Sequence, residues 1–348
     1  MTTSKNVFIV GPGFIGWNIV DLLVSEGYKI TGLVRRKAHA DGIAASGATP
    51  LIGDLNDKAL IQRHVEQADI VLHTATADHL PSVEAILAGV EARAAKELET
   101  VYIHTSGTSV LDDGAEGAFK SDKVYRDDVQ ADVDSVSDDA PHRQIDLAIV
   151  KAKKELMDKA KIAIMIPPLI YGYNPKHDRL TIQIPTLTRF AIKHGYAAHV
   201  GKGLAVESNI HVVDLARAYV VLLHAIEKAG FRDELLVNPY FFCETTGSAE
   251  PSWRDVATVI GEGLAKVGKL KDSTPKEIPK ELYSDLFGPE FTPPVVGLNS
   301  RSRANRLRTL GWRPAEKDWK RSYLEDELPV ILKEDDRDFK GYAGTVAS

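Results

Sequence analysis

Three closely spaced glycines near the start of the chain have the spacing of a phosphate-binding turn. The pattern G-x-G-x-x-G directly follows the apolar run Val7–Val10 and leads into a helical pattern over Phe14–Ser25. Glycines in such a turn let the backbone approach a phosphate, and the N-terminus of the next helix supplies partial positive charge. The turn therefore predicts a dinucleotide site. The residues that we expect to contact the dinucleotide here are Gly11, Gly13, Phe14, Ile15 and Gly16.

The end of the second apolar run indicates which dinucleotide binds. Lys29–Val34 is followed by Arg35 and Arg36, at the place where an NAD site usually has an acidic residue that bonds the ribose hydroxyls. Arginine instead suits a 2′-phosphate, because its planar guanidinium forms paired hydrogen bonds with phosphate oxygens. We therefore predict NADP(H) as the cofactor rather than NAD(H).

Short apolar runs alternate with helical patterns as far as residue 166. Strands that alternate with helices are typical of a parallel sheet covered by helices on both faces. We therefore predict an α/β fold, a Rossmann-type doubly wound parallel sheet with a smaller C-terminal substrate-binding region. The predicted strands are Val7–Val10, Lys29–Val34, Ile70–His73, Val101–Thr105 and Ile162–Ile166. The predicted helices are Phe14–Ser25, Lys58–Glu66, Val83–Leu98 and Asp146–Ala160.

Prolines interrupt this alternation after residue 166 and indicate a change of domain. We predict that residues 1–178, with contributions from 205–243, form the NADP(H)-binding domain. Residues 179–334 are predicted to form mainly the substrate-binding or cap region, and residues 335–348 a loose tail.

Two segments outside the predicted sheet have recognisable patterns. Leu111–Pro141 is rich in aspartate and is predicted to be a long surface excursion between a strand and a helix. Leu215–Glu227 has helical spacing, and we expect Asp214 to be the residue that caps its N-terminus. His211 is then a structural residue of the preceding turn.

Composition excludes several classes of protein. The chain has 348 residues, 44% hydrophobic and 26% charged, with a net charge of −6, which is typical of a globular domain and argues against a nucleic-acid partner. The single Cys243 excludes a disulfide framework and a cysteine-based zinc site, and no histidine pattern predicts another metal. No apolar run approaches the ~20 residues of a membrane span. Met1–Asn6 lacks the pattern of a secretory signal, so the expected location is the cytoplasm.

Further short motifs follow the glycine turn along the chain. They are Gly53-Asp54-Leu55, Val71-Leu72-His73-Thr74-Ala75-Thr76, Ile103-His104-Thr105-Ser106-Gly107-Thr108, Pro168-Leu169-Ile170-Tyr171-Gly172, Asn209-Ile210-His211-Val212-Val213-Asp214-Leu215-Ala216 and Leu310-Gly311-Trp312-Arg313-Pro314. In type and order they resemble the extended short-chain dehydrogenase/reductase superfamily. The resemblance is to its NAD-dependent epimerase/dehydratase-like members, in particular the dihydroflavonol/cinnamoyl-CoA reductase-like branch.

The resemblance implies roles for residues at the strand ends. It places Ser106 or Thr108 beside the substrate oxygen as a catalytic residue. It also implies that residues after several strands contact the cofactor. These residues are Asp54, Leu55, Thr74, Ala75, Thr76, Lys151 and Pro168.

The catalytic pattern Y-x-x-x-K of that superfamily is incomplete in this chain. Lys151 fits the lysine, but Leu147 stands where the tyrosine would be, and leucine cannot transfer a proton. Tyr125 and Tyr171 are therefore predicted as alternative catalytic residues, with Lys151 beside them. Three further polar residues lie at the start of the same helix and stay open as substitutes. They are His142, Arg143 and Asp146, of which the last points in a different direction from Leu147 on a helix.

Three hypotheses for function remain at this point. The first is an NADP(H)-dependent oxidoreductase that reduces a small-molecule carbonyl, or oxidises its alcohol, with a non-standard proton donor. The second is an epimerase, dehydratase or isomerase on the same fold. The third is a non-catalytic dinucleotide-binding regulator of the NmrA-like kind. We expect a small-molecule substrate, neither nucleic acid nor membrane as a partner, and possible homodimer formation, which is common in the superfamily resembled.

Overall fold

The computed structural model describes residues 4–245 and 250–334. The predicted tail, 335–348, lies outside the described residues. Most of the strand residues belong to one large sheet, and the others form short pairs. The strands are β1 (Asn6–Val10), β2 (Lys29–Val34), β3 (Thr49–Ile52), β4 (Ile70–His73), β5 (Thr100–Thr105), β6 (Tyr125–Arg126), β7 (Ala160–Ile166), β8 (Leu169–Tyr171), β9 (Ala198–His199), β10 (Asn209–His211), β11 (Tyr240–Phe242), β12 (Lys276–Glu277) and β13 (Ser302–Arg303).

The large sheet has seven strands in the order β11-β7-β5-β4-β1-β2-β3 within the described chain, and every pairing is parallel. Its central strands β4, β5 and β7 are buried along their whole length, which explains their continuous apolar runs. The strand order reverses between β1 and β4, and in open parallel sheets ligands bind beside such a reversal, outside the carboxyl ends of the strands. The predicted α/β Rossmann-type fold is confirmed.

Helices cover both faces of this sheet. Helix–helix contacts join α1 to α8, α3 to α4 and α4 to α6. Two predicted helices begin earlier than expected, because His79 caps α4 through the backbone N–H of Ser82 and His142 is the N-cap residue of α6. The helices are α1 (Gly16–Ser25), α2 (Lys37–Ala45), α3 (Lys58–Val65), α4 (Leu80–Ala94), α5 (Gln130–Asp134), α6 (Arg143–Leu156), α7 (Gln183–His194), α8 (Val212–Lys228), α9 (Trp253–Lys266), α10 (Thr292–Val296), α11 (Asn305–Thr309), α12 (Trp319–Ser322) and α13 (Leu328–Ile331).

A second apolar cluster lies outside the sheet and is built mainly from the C-terminal half of the chain. Helices α7 and α9 contribute its largest side chains together with the segment around α12 and α13. Phe190, Trp253 and Tyr323 are almost completely buried there. This C-terminal cluster gives the region after the sheet its own core, while the predicted domain boundaries stay a prediction. Within the described residues, every helix is too short or too polar to cross a membrane.

The acidic segment after β5 packs more closely than the predicted surface excursion. Its strand β6 pairs with β13, and Asp127 is completely buried. The Asp127 carboxylate accepts hydrogen bonds from the backbone N–H groups of Phe242 (3.1 Å) and Arg306 (3.1 Å). The aspartate therefore joins this segment to the sheet edge and to α11, so the predicted surface excursion is anchored to the protein at this residue.

The prediction that Asp214 caps α8 was wrong. The N-cap residue is His211, whose ring accepts a hydrogen bond from the backbone N–H of Val213 at 3.2 Å. Asp214 lies one turn further on and is buried. Its carboxylate accepts hydrogen bonds from the backbone N–H groups of Ala315 and Glu316, at 3.0 and 2.9 Å. The carboxylate thus holds the C-terminal segment against α8 instead of capping the N-terminus of the helix.

We predict that Asp214→Ala lowers the free energy of unfolding by about 3 kcal/mol, because it leaves the backbone N–H groups of Ala315 and Glu316 without their buried acceptor and Arg217 with Glu316 as its remaining partner. Urea denaturation followed by circular dichroism measures the change. Asp233→Ala is the matched control, since this exposed aspartate accepts a single hydrogen bond from Leu235 and its loss should cost about 1 kcal/mol. Equal effects of the two substitutions would contradict the role of Asp214 in holding Ala315 and Glu316 against α8.

Candidate cofactor and active site

The glycine turn lies between β1 and α1 and packs tightly against the end of β4. Gly11 has a φ of +72°, and a Cβ there would collide with Ala75. A Cβ at Gly16 would collide with the side chain of Thr74, whose hydroxyl donates a hydrogen bond to the carbonyl of Gly11 at 2.8 Å. These two glycines are therefore required by the packing of the protein itself.

Gly13 has a different environment, and this difference tests whether a dinucleotide fits. The nearest atom to a Cβ at Gly13 would be the carbonyl oxygen of Gly11, at 3.8 Å. Protein packing leaves this side of the turn open, at the place where α1 begins. An open backbone surface before a helix N-terminus suits a pyrophosphate. The residues Phe14 and Ile15 complete the turn, so the predicted contact set lies on one surface.

The residues predicted to meet the adenosine end lie after β2 and β3. Arg35 and Arg36 are exposed where β2 ends, and β2 is held to the turn by the bond from Gly11 N–H to Leu33 O at 3.2 Å. Asp54 is also exposed, and its carboxylate accepts a hydrogen bond from the backbone N–H of Asn56 at 2.7 Å. The structure brings these residues, and the half-buried Leu55, to the same edge of the sheet as the turn.

The ends of β4, β5 and β7 bring the other predicted residues to this edge. Thr74 N–H donates to Val10 O at 3.0 Å, and Thr76 accepts from the N–H of Asp78 at 3.0 Å. On the other side of β4, the N–H of Thr108 donates to the carbonyl of Pro167 at 3.0 Å, directly before Pro168. The loop after β5 is thereby held against the end of β7.

Ser106 forms a buried pair with an aspartate on α6. Its hydroxyl donates to Asp146 Oδ2 at 2.9 Å, while Asp146 Oδ1 lacks a hydrogen-bond partner among the described residues. Burial raises the pKa of Asp146 to about 7, and this outweighs the Ser106 hydroxyl and the positive charges of His142 and Arg143, which lower it. The pair fixes the orientation of the Ser106 hydroxyl at the carboxyl end of the sheet.

His142 lies next to this pair and is held by a second carboxylate. Its Nδ1 lies 2.5 Å from Asp78 Oδ1, and because a carboxylate only accepts, Nδ1 carries the proton. Nε2 lies on the other side of the ring, 3.2 Å from where a Cβ of Gly107 would be, beside the backbone that follows Ser106. His142 also has a left-handed backbone, with φ of +66°, which is uncommon away from glycine and typical of functional positions.

The other predicted catalytic residues lie elsewhere. The side chain of Lys151 is 77% exposed on the solvent side of α6, within 4.0 Å of Glu155. Tyr171 is buried in the C-terminal cluster, and its hydroxyl donates to the carbonyl of Lys317 at 2.9 Å. Tyr125 is half-buried in β6 under Lys123, whose ammonium lies 4.7 Å from the ring centre. The structure does not bring these three side chains to Ser106, while Thr108 donates its hydroxyl hydrogen to Ser300 at 3.1 Å.

Asp78 was missed by the sequence reasoning, and His142 and Asp146 were left among several substitutes. Asp78 lies in a short loop after β4, and no local spacing connects it with residue 142. A usable signal was present in the pattern His142-x-x-x-Asp146, which places two ionisable side chains one helical turn apart at the start of α6. Asp146 thus contacts Ser106 directly, while His142, held by Asp78, lies beside Gly107.

His73, at the end of β4, is buried below the site. Its Nδ1 lies 3.0 Å from Nδ1 of His104, the residue opposite on β5. Burial lowers the pKa of His73 to about 3 and lowers that of His104 strongly, so both rings stay neutral at physiological pH. The histidine pair packs the sheet under the site and does not carry charge to it.

Comparison with known proteins identifies a matching family and a relative of similar length. Residues 7–233 match the NAD dependent epimerase/dehydratase family. A protein of Acremonium sp. named Oxidase ucsJ is 28% identical over 357 residues, which covers 95% of this chain and 98% of that protein. The resemblance inferred from the motifs is thereby confirmed.

Two solved structures share the fold. UDP-glucose 4-epimerase of Thermotoga maritima with UDP-glucose has a TM-score of 0.65 at 16% identity, over 94% of this chain and all of that chain (100%). The yeast methylglyoxal/isovaleraldehyde reductase Gre2 complexed with NADPH has a TM-score of 0.59 at 17% identity, over 94% of this chain and 98% of that chain. At these identities the likeness concerns the fold alone.

We predict that the stability of the protein depends on pH through Asp146. A carboxyl group with a raised pKa in the folded state stabilises that state fully below its ordinary pKa near 3.8, and this stabilisation is lost as the pH rises through about 7. Asp146→Asn removes the titration. Relative to the wild type, the variant should therefore gain about 4 kcal/mol in free energy of unfolding between pH 4 and pH 8.

Urea denaturation of both proteins at several pH values measures this difference. The other buried carboxyl groups with raised pKa, such as Asp127 and Glu207, are present in both proteins and cancel in the comparison. A difference that stays constant with pH would contradict a raised pKa for Asp146.

Proposed function

Because the chain belongs to the NAD dependent epimerase/dehydratase family, we propose that it is a nicotinamide-dependent oxidoreductase that uses NADP(H). Its reaction is the reduction of a small-molecule carbonyl, or the oxidation of the corresponding alcohol. The observation that carries the proposal is the meeting of a held hydroxyl and a held imidazole, Ser106 and His142, beside the glycine turn. The name of the Acremonium relative, an oxidase, supports an oxidoreductase of this kind.

The choice of NADP(H) is supported by the residues after β2. Arg35 and Arg36 stand where an acidic residue would bond the ribose hydroxyls of NAD(H). Arginine at this position favours a 2′-phosphate and leaves the ribose hydroxyls without a carboxylate acceptor.

The chemistry divides between the cofactor and the protein. When bound, the nicotinamide ring supplies or accepts the hydride. When Asp146 is protonated, its O–H donates to Ser106 Oγ across the same 2.9 Å contact, and the serine hydroxyl is then free to donate to the substrate oxygen and orient it. A buried, protonated Asp146 leaves no second negative charge beside an oxygen on which negative charge develops during reduction.

His142 moves the proton. With Nδ1 held by Asp78, the protonated ring presents an Nε2–H that can pass to the substrate oxygen, so hydride and proton together convert the carbonyl to the alcohol. In the oxidation direction neutral Nε2 accepts the hydroxyl proton. Asp78 holds the ring orientation and stabilises the imidazolium in both directions. The Asp78–His142 pair thus takes the proton-transfer role of the superfamily tyrosine, whose position is held by Leu147 in this chain.

Binding of the cofactor can be tested at the glycine turn. Gly13→Val should raise the dissociation constant for NADPH about tenfold or more, because the new side chain occupies the open side of the turn where a pyrophosphate would lie. Tryptophan fluorescence titration measures binding, with Trp17 close to the turn. Gly230→Ala is the control, since a Cβ there would also meet open space but lies outside the site. Wild-type protein that binds none of NADPH, NADP⁺, NADH and NAD⁺ would overturn the proposed function.

A further prediction concerns catalysis. His142→Asn should lower kcat about 100-fold or more at an unchanged dissociation constant for NADPH, because asparagine tolerates the left-handed backbone but cannot transfer the proton. Ser106→Ala should also lower kcat, by about 10-fold or more. The assay follows NADPH absorbance at 340 nm with a panel of aldehydes and ketones.

Tyr125→Phe is the matched control for catalysis. It removes the hydroxyl of a tyrosine of β6 whose ring packs under Lys123, so kcat should stay within about twofold. A large loss in Tyr125→Phe with none in His142→Asn would reverse the assignment of the proton donor. Conversion of a substrate with no net change in NADPH would instead favour an isomerising reaction.

A further inference from the structure

A loop from the second half of the chain is fastened to the helix that follows the glycine turn. This loop, residues 173–179, is called the α1 strap here. Asn174 Nδ2 donates to Asn18 Oδ1 at 2.7 Å. Lys176 and His177 contact the two carboxylate oxygens of Asp21, at 2.7 and 2.9 Å. The strap therefore has a fixed position beside the phosphate-binding turn.

The strap places an arginine over an aromatic residue of the turn region. Trp17, in the first turn of α1, stacks on His177 with ring centres 4.5 Å apart and an interplanar angle of 16°. The guanidinium carbon of Arg179 lies 5.4 Å from the centre of the Trp17 ring. An aromatic face supports a planar guanidinium, and the edge of a guanidinium suits an anion.

The same tryptophan connects Arg179 with the turn itself. The ring of His39 lies 5.2 Å from that of Trp17, and its Nε2–H donates to the carbonyl of Pro12 at 2.7 Å. Burial lowers the pKa of His39 to about 4, helped by the positive charges of Arg179 and Arg36. Two arginines from opposite halves of the chain therefore lie around one neutral imidazole at the glycine turn.

The position of Pro12 indicates which part of a dinucleotide this cluster faces. Pro12 packs against β2, where a Cβ at Gly32 would lie 3.1 Å from its ring. The adenosine ribose binds at the end of this strand, whereas the pyrophosphate binds at the N-terminus of α1. The arginines around His39 therefore lie on the adenosine side of the turn.

We propose that Arg179 is a ligand of the adenosine 2′-phosphate and that the α1 strap thereby makes selection of NADP(H) depend on the second half of the chain. Arg36 reaches the phosphate from the end of β2, and Arg179 reaches it from above Trp17. The inference rests on the proposed use of NADP(H). It adds a specificity-determining residue about 140 positions away from the predicted pair in the sequence.

The test compares ligands that differ in the 2′-phosphate alone. Adenosine 2′,5′-bisphosphate and 5′-AMP are titrated by isothermal titration calorimetry into the wild type and Arg179→Gln. NADPH and NADH are titrated by fluorescence. We expect Arg179→Gln to raise the dissociation constants of the bisphosphate and NADPH about tenfold, because a charge-assisted hydrogen bond is lost. Those of 5′-AMP and NADH should stay within about twofold.

Two further variants keep the result interpretable. Arg232→Gln is the matched control, because Arg232 is 90% exposed and pairs with Asp158 beyond the C-terminal end of α6, so it should change no dissociation constant. Arg179→Lys keeps the charge but not the planar fork, and should weaken bisphosphate binding less than Arg179→Gln does. Thermal unfolding without nucleotide checks that each variant is folded.

The outcomes separate the inference from the proposed function. Wild-type protein that binds NADPH, with Arg179→Gln binding it equally well, overturns the role of Arg179 and leaves the oxidoreductase proposal intact. Equal weakening of NADPH and NADH binding also overturns it, since the residue would then act on the pyrophosphate or on packing. Absence of binding of any nucleotide to the wild type overturns the proposed function itself.

Discussion

The geometry of the site depends on the close contact between the glycine turn and the end of β4. Ala75 and Thr74 occupy the space in which side chains at Gly11 and Gly16 would lie, and the Thr74 hydroxyl bonds the Gly11 carbonyl. This contact joins β1 to β4 at the point where the strand order reverses, which is where ligands bind in sheets of this kind. The chain continues from the same strand end to Asp78, which contacts His142. The end of β4 therefore positions both the glycine turn and the Asp78–His142 pair.

Buried carboxylates hold the irregular segments around that sheet. Asp214 gathers the backbone of the C-terminal segment onto α8, Asp127 fixes the acidic segment to the sheet edge, and Asp146 holds Ser106. Each lies in a loop or at a helix start, where backbone N–H groups and hydroxyls lack partners within regular structure. Asp214 also connects two sequence motifs that lie far apart in the chain, since its backbone carbonyl accepts a hydrogen bond from Trp312 Nε1 at 3.0 Å.

The sequence predicted the fold better than the site, for physical reasons. Buried parallel strands have continuous apolar runs, and the bounds of Ile70–His73 were predicted correctly, whereas the strand predicted to begin at Ile162 begins at Ala160. The edge strands Thr49–Ile52 and Tyr240–Phe242 were missed, because the first is largely exposed and the second has only three residues. Glycine spacing found the turn directly. The partnership of Asp78 with His142 could not be found, because it depends on how two loops meet in space and has no sequence period.

The loss of the tyrosine explains the position of the remaining lysine. In the superfamily the lysine lowers the pKa of the tyrosine, so with Leu147 in its place a buried lysine would be an uncompensated charge. Lys151 is accordingly on the solvent side of α6, and the helix turns Asp146 inward instead. The Asp146 carboxyl group does not replace the tyrosine by itself, since it is hydrogen-bonded to Ser106. The proton transfer that we propose is therefore assigned to a group outside the helical repeat, His142, whose left-handed backbone lies directly before α6.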